Sequence, residues 1–455
     1  CNMREYISPN DEKLFGADDS ATIQNAIAAA EQDGCRKIVI PSYNLRTDST
    51  EWRIARAIKI PSEFTVVLDN CFLVQETGVY EQVFMNSYAD DETKRDIKYE
   101  QTNIAVIGKG NAVIDGGKLN NLREKTARRY GLPSIWQNTM FLWLNVNGLR
   151  LENLNIQNQR WWAITHLFCR NVKIRDINFF AIPHVFNMDG IDLRVGCNNF
   201  DIENITGRTG DDNIALTALW GAGEIERKIE GKDSDIHDVR IRSLKADPHK
   251  CYCLRLLTHD GNKIYNIDAD TLLDTGDFAT KTRSGCTLAF SSPIYYSKKP
   301  MGRGDLHHIN AKNIYSRSQN TFYFNFAAEH VNISNVHAFG DNINCFSVGY
   351  GSLEFYKGCH FEDVNFEHIF YGAEQKEICV SRVLEPEDYH GTVFNLIKTT
   401  GEIKMRDIHV DAVKTVFRIT GGLKADVEGY ECRDAYNEFS VDDESTLTVN
   451  GEVKR

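Results

Sequence analysis

A six-residue pattern that recurs along the chain constrains the fold more than any other feature of the sequence. In each copy apolar residues alternate with polar ones, and Asn or Asp often stands before the last apolar position. The copies are LRLENL from Leu149, VKIRDI from Val172, FDIENI from Phe200, VRIRSL from Val239, INAKNI from Ile309, VNISNV from Val331, VNFEHI from Val364 and IKMRDI from Ile403. Their shortest spacings are 22 and 23 residues, and a looser copy around Asn262 to Ile267 divides the longest spacing.

Spacings of 22 and 23 residues, with longer ones explained by inserted loops, are typical of the coils of a parallel β-helix. The alternation has period two, so one face of each strand packs inward while the other meets solvent. A β-sandwich also has short alternating strands, but usually at spacings of roughly 8–12 residues and without a shared pattern. We therefore predict an all-β, right-handed parallel β-helix that forms a single domain over residues 1–455, with main coils at about residues 100–440.

The N-terminal region departs from this pattern and predicts a short capping helix at about residues 15–35. Asp19 and Ser20 are candidate N-cap residues, apolar residues then recur at helical spacing, and Gly34 is a stop signal. The strand KIVIP follows. Such a helix would cover the open end of the solenoid, whose first coil would otherwise expose apolar residues.

Composition and charge narrow the class of partner. The formal net charge is -12, which argues against nucleic acid or an anionic membrane, because either would require a basic face. No apolar run approaches the roughly 18 residues that a membrane span requires. Twelve cysteines in 455 residues do not indicate a disulfide scaffold. Cys169 and Cys197 each precede a repeat by three residues, so we expect them to stack in adjacent coils, either as free thiols or as a disulfide.

The first residue, Cys1, raises a question of location. A chain that begins with cysteine rather than methionine looks like a mature protein whose leader was removed, and it resembles a bacterial lipoprotein acylated at that cysteine. The expected location is then outside the cytoplasm, periplasmic or at the cell surface, with a lipid anchor at Cys1. An arbitrary start of the sequence is an equally good explanation.

Two acidic segments carry the candidate chemistry: NMDGIDL from Asn187 and GDDNIAL from Gly210. Their alignment at an offset of 23 residues, one coil, places Asp189 beneath Asp212, about 4.8 Å apart along the axis. Asp211 lies beside them on the same turn. Mutual repulsion should raise the pKa of at least one of three carboxylates this close, as acid/base cleavage of a glycosidic bond requires. Calcium binding by the same trio is the main chemical alternative.

At these segments the sequence resembles glycoside hydrolase family 28, the polygalacturonase family of the pectin-lyase-like β-helices. The stretches that carry the likeness are VIDGGK from Val113, WWAITHLFCRNVKIRDI from Trp161, NMDGIDL and GDDNIAL. The resemblance implies that Asp211 is the general acid, that Asp189 and Asp212 hold the attacking water, and that hydrolysis inverts the anomeric centre. It also implies that Asn187 orients a carboxylate or a sugar hydroxyl.

The chain departs from the family at the residues that usually bind substrate. Cys251-Tyr252-Cys253 stands where the family has Gly-His-Gly, so Tyr252 replaces a histidine. Leu288-Ala289-Phe290 aligns with the family's Arg-Ile-Lys, whose basic pair grips the galacturonate carboxylate, and Arg255 could compensate one coil earlier. The substrate is therefore expected to differ from that of a standard polygalacturonase.

Three further residues are candidates near the motif. Trp162 falls one coil below Asp189, where an aromatic face could pack on sugar C–H groups. His184 is a candidate substrate-binding residue, and His184 or His166 could tune the carboxylates, although a structural histidine is the more common outcome.

Together these features predict an inverting glycoside hydrolase that acts on a pectin-like or related polysaccharide or oligosaccharide without metal or cofactor. A calcium-dependent polysaccharide lyase and a non-catalytic glycan-binding β-helix are the alternatives. Insertions after Leu216 and at about residues 291–304 could close one end of the cleft, which would favour cleavage at chain ends.

Overall fold

The computed structural model describes residues 5–118, 124–132, 135–182, 187–276, 284–290, 299–339, 344–348, 358–372 and 391–455. The chain divides into two compact units. The first comprises Cys1–Asp212 and Gly221–Asp235, and the second comprises Asn213–Trp220 and Ile236–Arg455. The single domain predicted over residues 1–455 stays a prediction.

The first unit contains three α-helices, four 3₁₀ turns and fourteen strands among its described residues. The α-helices are α1 (Asp19–Asp33), α2 (Glu124–Tyr130) and α3 (Ala222–Glu226), and the 3₁₀ turns are Glu12–Leu14, Glu92–Lys94, Ile97–Tyr99 and Ile135–Gln137. The strands are β1 (Lys37–Pro41), β2 (Glu51–Ile54), β3 (Ile58–Ile60), β4 (Phe64–Asp69), β5 (Phe72–Gln75), β6 (Phe84–Asn86), β7 (Gln101–Lys109), β8 (Val113–Asp115), β9 (Phe141–Leu144), β10 (Val146–Gln157), β11 (Ile164–Leu167), β12 (Arg170–Phe180), β13 (Ile191–Leu193) and β14 (Asn198–Thr209).

These strands form three parallel stacks. One runs β1–β4–β7–β10–β12–β14, a second runs β2–β5–β8–β10, and the third runs β3–β6–β9–β11–β13. Each strand pairs with the equivalent strand of the next coil, as a parallel β-helix requires. Among the strands, parallel pairing begins with β1, where Lys37 lies opposite Thr65.

The second unit is built in the same way from fifteen strands among its described residues. They are β15 (Ile214–Ala218), β16 (Ile236–Pro248), β17 (Tyr252–Thr258), β18 (Ile264–Asp274), β19 (Cys286–Phe290), β20 (Leu306–Ser316), β21 (Asn320–Phe324), β22 (Phe326–Phe339), β23 (Asn344–Val348), β24 (Cys359–Gly372), β25 (Thr392–Leu396), β26 (Thr399–Ile419), β27 (Leu423–Val441), β28 (Thr446–Val449) and β29 (Glu452–Lys454). Two parallel stacks run β16–β18–β20–β22–β24–β26–β27–β28 and β15–β17–β19–β21–β23–β25–β26, and β28 pairs antiparallel with β29. The predicted all-β, right-handed parallel β-helix is confirmed.

The N-terminal helix lies where it was predicted, but its cap does not. Asp18, not Asp19 or Ser20, is the N-cap, and its carboxylate accepts the Ala21 N–H at 2.8 Å. Asp19 is buried and accepts the Arg46 guanidinium at 2.7 Å, while Ser20 accepts the Ala55 N–H at 2.9 Å. The two side chains predicted to cap the helix therefore form hydrogen bonds with residues distant in the sequence. Gly34 ends the helix in the left-handed conformation, as predicted.

The recurring pattern coincides with the strand register. Leu149 lies opposite Val172, and Val172 lies opposite Phe200. The looser copy was misplaced, because Val239 pairs with Ile267 and not with Asn262. An insertion before that strand hides the register, so the pattern IDADTL, which begins at Ile267, is the true copy.

Cys169 and Cys197 lie in the positions that the repeat predicts. Arg170 lies opposite Asn198, so the preceding Cys169 and Cys197 are in adjacent coils, as predicted, and both are buried free thiols.

Over the described ranges, no helix combines the length and apolar character that would let it cross a membrane. Cys1 lies outside the described residues, and its acylation stays a prediction.

Candidate active site

The candidate aspartates of the first unit lie in the turns that precede short strands. Asp189 comes just before β13, while Asp211 and Asp212 follow β14. The Gly190 N–H donates to the Asp212 carbonyl oxygen at 2.9 Å. This is the same slanted bond that joins parallel strands elsewhere in the unit. It places Asp189 and Asp212 in register on adjacent coils, as their spacing of 23 residues predicts.

The Asp211 carboxylate is held by backbone donors on two coils. Its Oδ2 accepts the Asn187 N–H at 2.9 Å, and its Oδ1 accepts the Asp212 N–H at 3.1 Å. The Thr209 hydroxyl donates to the Asp211 carbonyl oxygen at 2.7 Å. These three bonds fix both the backbone and the carboxylate of Asp211, so its orientation does not depend on a bound substrate.

Burial separates the three aspartates. Asp189 is 2% exposed and Asp212 is fully buried, whereas Asp211 is half-buried. Asp211 is therefore the member of the trio that a ligand can reach most easily.

Asn187 contributes through its backbone. Its φ of +64° is left-handed, a conformation that asparagine tolerates better than most residues, and it turns the N–H towards Asp211. The predicted contact of its side chain with a sugar hydroxyl stays a prediction.

Trp162 lies one coil from Asp189, as predicted, because the Ala163 N–H donates to the Asp189 carbonyl oxygen at 3.1 Å. The Arg194 guanidinium lies 4.3 Å from the centre of the Trp162 ring, and Trp136 meets that ring edge-on with centroids 4.9 Å apart. Arg194 also bonds to the Glu224 carboxylate, at 2.5 and 2.9 Å. One face of Trp162 is therefore occupied by protein, and the rest is half-buried.

Sequence reasoning missed Trp136, Arg194 and Glu224. Glu224 belongs to α3, in the segment Gly221–Asp235 that returns to the first unit. That segment follows no repeat, so its sequence carries no register signal. Gly223 was the one local hint, because a Cβ there would lie 1.7 Å from Trp136 Nε1. Only a glycine permits this close approach.

The two histidine candidates have different outcomes. His166 is fully buried, its Nδ1 lies 3.2 Å from the Asp192 carbonyl oxygen, and its ring packs edge-on against Phe200. Burial lowers the pKa of His166 to about 3, so the imidazole is neutral and serves the core. His184 lies outside the described residues.

Tyr252 and Arg255 belong to the second unit. Asn213 donates its N–H to the Tyr252 carbonyl oxygen at 2.9 Å, and the Tyr252 ring packs against Cys286, Ala289 and Tyr323. Arg255 is 9% exposed and lies between Ala215 and Ala289 in the strand register. Small neighbours on both sides leave room for its long side chain, but its contact with substrate stays a prediction.

Comparison with known proteins gives a sequence match and several structural matches. The family model of glycosyl hydrolases family 28 matches residues 34–230. Polygalacturonase QRT2 of Arabidopsis thaliana is 26% identical over 133 residues, which are 29% of this chain and 29% of that protein. The chain thus matches less than a third of its curated relative.

The structural matches are close in fold and distant in sequence. The Yersinia enterocolitica family 28 exopolygalacturonase superposes with a TM-score of 0.51 at 14% identity, covering 99% of this chain and 79% of that one. The catalytic domain of a GH87 α-1,3-glucanase with nigerose gives 0.51 at 12% identity, covering 98% and 67%. PfbA, a surface adhesin of Streptococcus pneumoniae, gives 0.50 at 12% identity, covering 97% and 93%.

An exopolygalacturonase, a glucanase and an adhesin share this architecture, so the fold by itself leaves the function open. The sequence match is more specific, because residues 34–230 contain Asp189, Asp211 and Asp212. The resemblance to glycosyl hydrolases family 28 is therefore confirmed over residues 34–230, on a chain whose fold is that of the Yersinia enterocolitica enzyme.

Proposed function

We propose that this protein hydrolyses glycosidic bonds of a pectin-like or related polysaccharide or oligosaccharide with inversion at the anomeric centre. The observation that carries the proposal is the arrangement of three aspartates on two adjacent coils. Asp211 is held by the N–H groups of Asn187 and Asp212, and Asp189 lies in register with Asp212. The match of this region to glycosyl hydrolases family 28 supports the same reaction class.

The proposed roles follow from access. Asp211 is the most exposed of the three carboxyl groups, so it would protonate the leaving oxygen of the glycosidic bond. Asp189 and Asp212 would hold and deprotonate the attacking water on the opposite face of the sugar.

The proposed substrate differs from that of a standard polygalacturonase. Tyr252 stands where a histidine is usual, and Leu288-Ala289-Phe290 stands where a basic triplet is usual. Arg255 is the nearest cation in the sequence that could compensate, and it is largely buried. A sugar that is neutral or differently linked at this position would need no second cation there.

Burial of the strands next to Asp189 favours cleavage at a chain end over cleavage within a polymer. Thr165 and Asp192 lie opposite each other on β11 and β13, the strands next to Asp189, and both are fully buried. The ion pair between Arg194 and Glu224 lies in the same region, with the two side chains only 7% and 2% exposed. A polymer could not lie along these strands without displacing the ion pair between Arg194 and Glu224.

The first test is a reducing-end assay on a panel of pectic and other plant or algal glycans. Ultraviolet absorbance would be followed in parallel, with and without a chelator. We expect new reducing ends, no absorbance from unsaturated products, no effect of the chelator, and inverted product anomers by NMR. Products of one size from the first time point would support cleavage at chain ends, and a ladder of sizes would contradict it.

Two results would replace the proposal. Absorbance that grows with calcium would mean a polysaccharide lyase. Sugar binding without any cleavage would mean a glycan-binding β-helix, a role that the shared fold of the adhesin PfbA makes worth testing.

A further inference from the structure

Thr209 ends β14 and lies two residues before Asp211. Its side chain is fully buried, so its hydroxyl has to find a hydrogen-bond partner within the protein. That partner is the carbonyl oxygen of Asp211, to which the hydroxyl donates at 2.7 Å. A threonine often bonds to the backbone of the residues that follow it. This bond differs from an ordinary turn bond because the peptide group that it restrains also contacts the Asp211 carboxylate.

The peptide group between Asp211 and Asp212 is held on both sides. Its carbonyl oxygen accepts the Thr209 hydroxyl, and its N–H donates to Oδ1 of the Asp211 carboxylate at 3.1 Å. Because the carbonyl and the N–H of one peptide group share a plane, the hydroxyl that fixes the carbonyl also sets the direction of the N–H. A donor on the carbonyl oxygen polarises the peptide and strengthens the bond that its N–H forms. One rigid group therefore connects Thr209 to the carboxylate.

The preceding coil fixes the residues on either side of this peptide group. Gly210 donates its N–H to the Met188 carbonyl oxygen at 2.9 Å, and the Asp212 carbonyl oxygen accepts the Gly190 N–H at 2.9 Å. Neither bond involves the peptide group between Asp211 and Asp212. A rotation of that group about the line joining its two Cα atoms would leave both bonds intact. The Thr209 hydroxyl is therefore the bond to the carbonyl that opposes such a rotation.

We propose that Thr209 is a positioning residue for the general acid, and that its hydroxyl holds the Asp211 carboxylate in the direction of the leaving oxygen before substrate binds. The role of Asp211 rests on the proposed function, whereas the restraint on its peptide group rests on the hydrogen bonds alone. A sugar can contact the half-buried Asp211 but not the fully buried Thr209. The hydroxyl should therefore affect turnover and not substrate binding. Small displacements are enough, since about 1 Å can cost about 10²-fold in rate.

Steady-state kinetics of Thr209→Val test this proposal, on the glycan that the reducing-end panel shows to be cleaved. Valine keeps the branched shape of threonine and removes the hydroxyl. We expect kcat to fall by about 10–100-fold and KM to stay within about twofold, because a misaligned acid slows the chemical step alone. Thr209→Ser keeps the hydroxyl and should recover kcat to within about threefold of the wild type. A raised KM with unchanged kcat, or a serine variant as slow as the valine variant, would overturn the proposal.

Thr206 offers a matched control on the same strand. Its hydroxyl donates to the Asn178 side chain at 2.9 Å, so Thr206→Val also removes one hydrogen bond of β14, three residues before Thr209. Its kcat and KM should stay near those of the wild type. Equal losses of kcat in Thr206→Val and Thr209→Val would mean that loosening of the strand is the cause, and would overturn the proposal. If Thr209→Val does not fold, Thr209→Ala and Thr209→Ser give the same comparison of a missing with a retained hydroxyl.

The double variant shows whether Thr209 acts through Asp211. Thr209→Val should lower the residual rate of Asp211→Asn by less than about twofold, because the acid that the hydroxyl positions is already lost. A further loss of about 10–100-fold in the double variant would mean that the two side chains act independently, and would overturn the proposal. Circular dichroism would show that each variant is folded.

Amide hydrogen exchange separates this inference from the proposed function, because it requires no substrate. The Asp212 N–H is bonded to the Asp211 carboxylate, so it should exchange at least about tenfold faster in Thr209→Val and at the wild-type rate in Thr206→Val. Faster exchange in a protein that hydrolyses no glycan would uphold the restraint by Thr209 and remove the catalytic assignment. Hydrolysis by the wild type, with unchanged exchange and kcat in Thr209→Val, would overturn the restraint and leave the proposed function standing.

Discussion

Two turns in the first unit use the same residue types for different purposes. The first turn lies within the long strands β10, β12 and β14, and it carries Asn153, Asp176 and Asn204 in successive coils. The second turn precedes the short strands and carries Asp189 in one coil, with Asp211 beside Asp212 in the next.

The repeating turn is explained by backbone geometry. Asn153, Asp176 and Asn204 all have φ near +55°, which costs an L-residue about 1–2 kcal/mol unless its side chain bonds locally. Asn204 donates to the Asp176 carboxylate at 2.6 Å, and Asn153 donates to the Gly108 carbonyl oxygen at 3.0 Å. The same side-chain type in coil after coil therefore builds a ladder, and no ligand is needed to explain it.

The second turn has no such ladder. Trp162 occupies the position of Asp189 in the preceding coil, so the carboxylates appear abruptly and are mostly buried. Burying a charged group costs free energy, and packing contacts do not offset that cost. A polar residue that is repeated in coil after coil therefore has a structural role, and a polar residue that breaks the repetition is the better candidate for chemistry.

The same substitution in both turns should have very different effects on activity. Asp211→Asn should lower the hydrolysis rate by about 10²–10⁴-fold or more, because the proton donor is lost. Asp176→Asn should leave the rate near that of the wild type, since an amide can still accept from Asn204. Reducing-end assays and thermal melts of both variants would be compared. Equal rates in the two variants would remove the catalytic assignment of Asp211.

The repeated aromatic core of the second unit should be sensitive to the loss of one ring. Phe346 is fully buried in the second unit, with ring centres 4.6 Å from Phe322 and 4.7 Å from Phe394. Phe346→Ala should lower the free energy of unfolding by about 3–5 kcal/mol, because it removes stacked contacts and leaves a cavity. Urea denaturation measures this. Phe346→Leu serves as the matched control and should cost clearly less, and an equal loss would contradict the stacking argument.

The third prediction concerns pH. Burial lowers the pKa of His166 to about 3, whereas the unfolded chain protonates near pH 6.5. Between these values only the unfolded state binds the proton, so stability is fully present above about pH 6.5 and falls as the pH drops, by about 1.4 kcal/mol per pH unit.

His166→Leu should flatten that dependence. Urea denaturation at pH 6.5 and pH 4.5 would compare the variant with the wild type. A wild-type slope that persists unchanged in His166→Leu would show that other groups carry the pH dependence.

The smallest expected effect tests the ladder itself. Asn204→Ala should cost about 1 kcal/mol, because alanine is strained at a φ of +55° and the bond to Asp176 is lost. The hydrolysis rate should not change. A marked loss of activity with unchanged stability would mean that the repeating turn also takes part in chemistry.

Much of the fold could be predicted because its signals are local and repeated. The spacing of the pattern predicted the stacking of Leu149 on Val172 and the adjacent positions of Cys169 and Cys197. The same arithmetic predicted the register of Asp189 with Asp212. In a solenoid each coil contacts its neighbours, so sequence spacing converts directly into spatial contact.

Prediction failed where a side chain bonds to a residue that is distant in the sequence. Asp19 looked like a helix cap, yet its carboxylate bonds to Arg46, and Asp18 caps the helix instead. The copy of the pattern near Asn262 was displaced to Ile267, because an inserted loop breaks the spacing.

The coil, its alternating strands and the pairing of the aspartates follow from the sequence, since all three depend on a period that can be counted. The return of Gly221–Asp235 to the first unit is visible in the folded chain alone. The bond between Glu224 and Arg194 is likewise visible only there. Insertions have no period, so the spacing of residues does not predict their contacts. Those contacts depend on which buried charges the insertion can pair with, and which apolar surfaces it can cover, once the coils have formed.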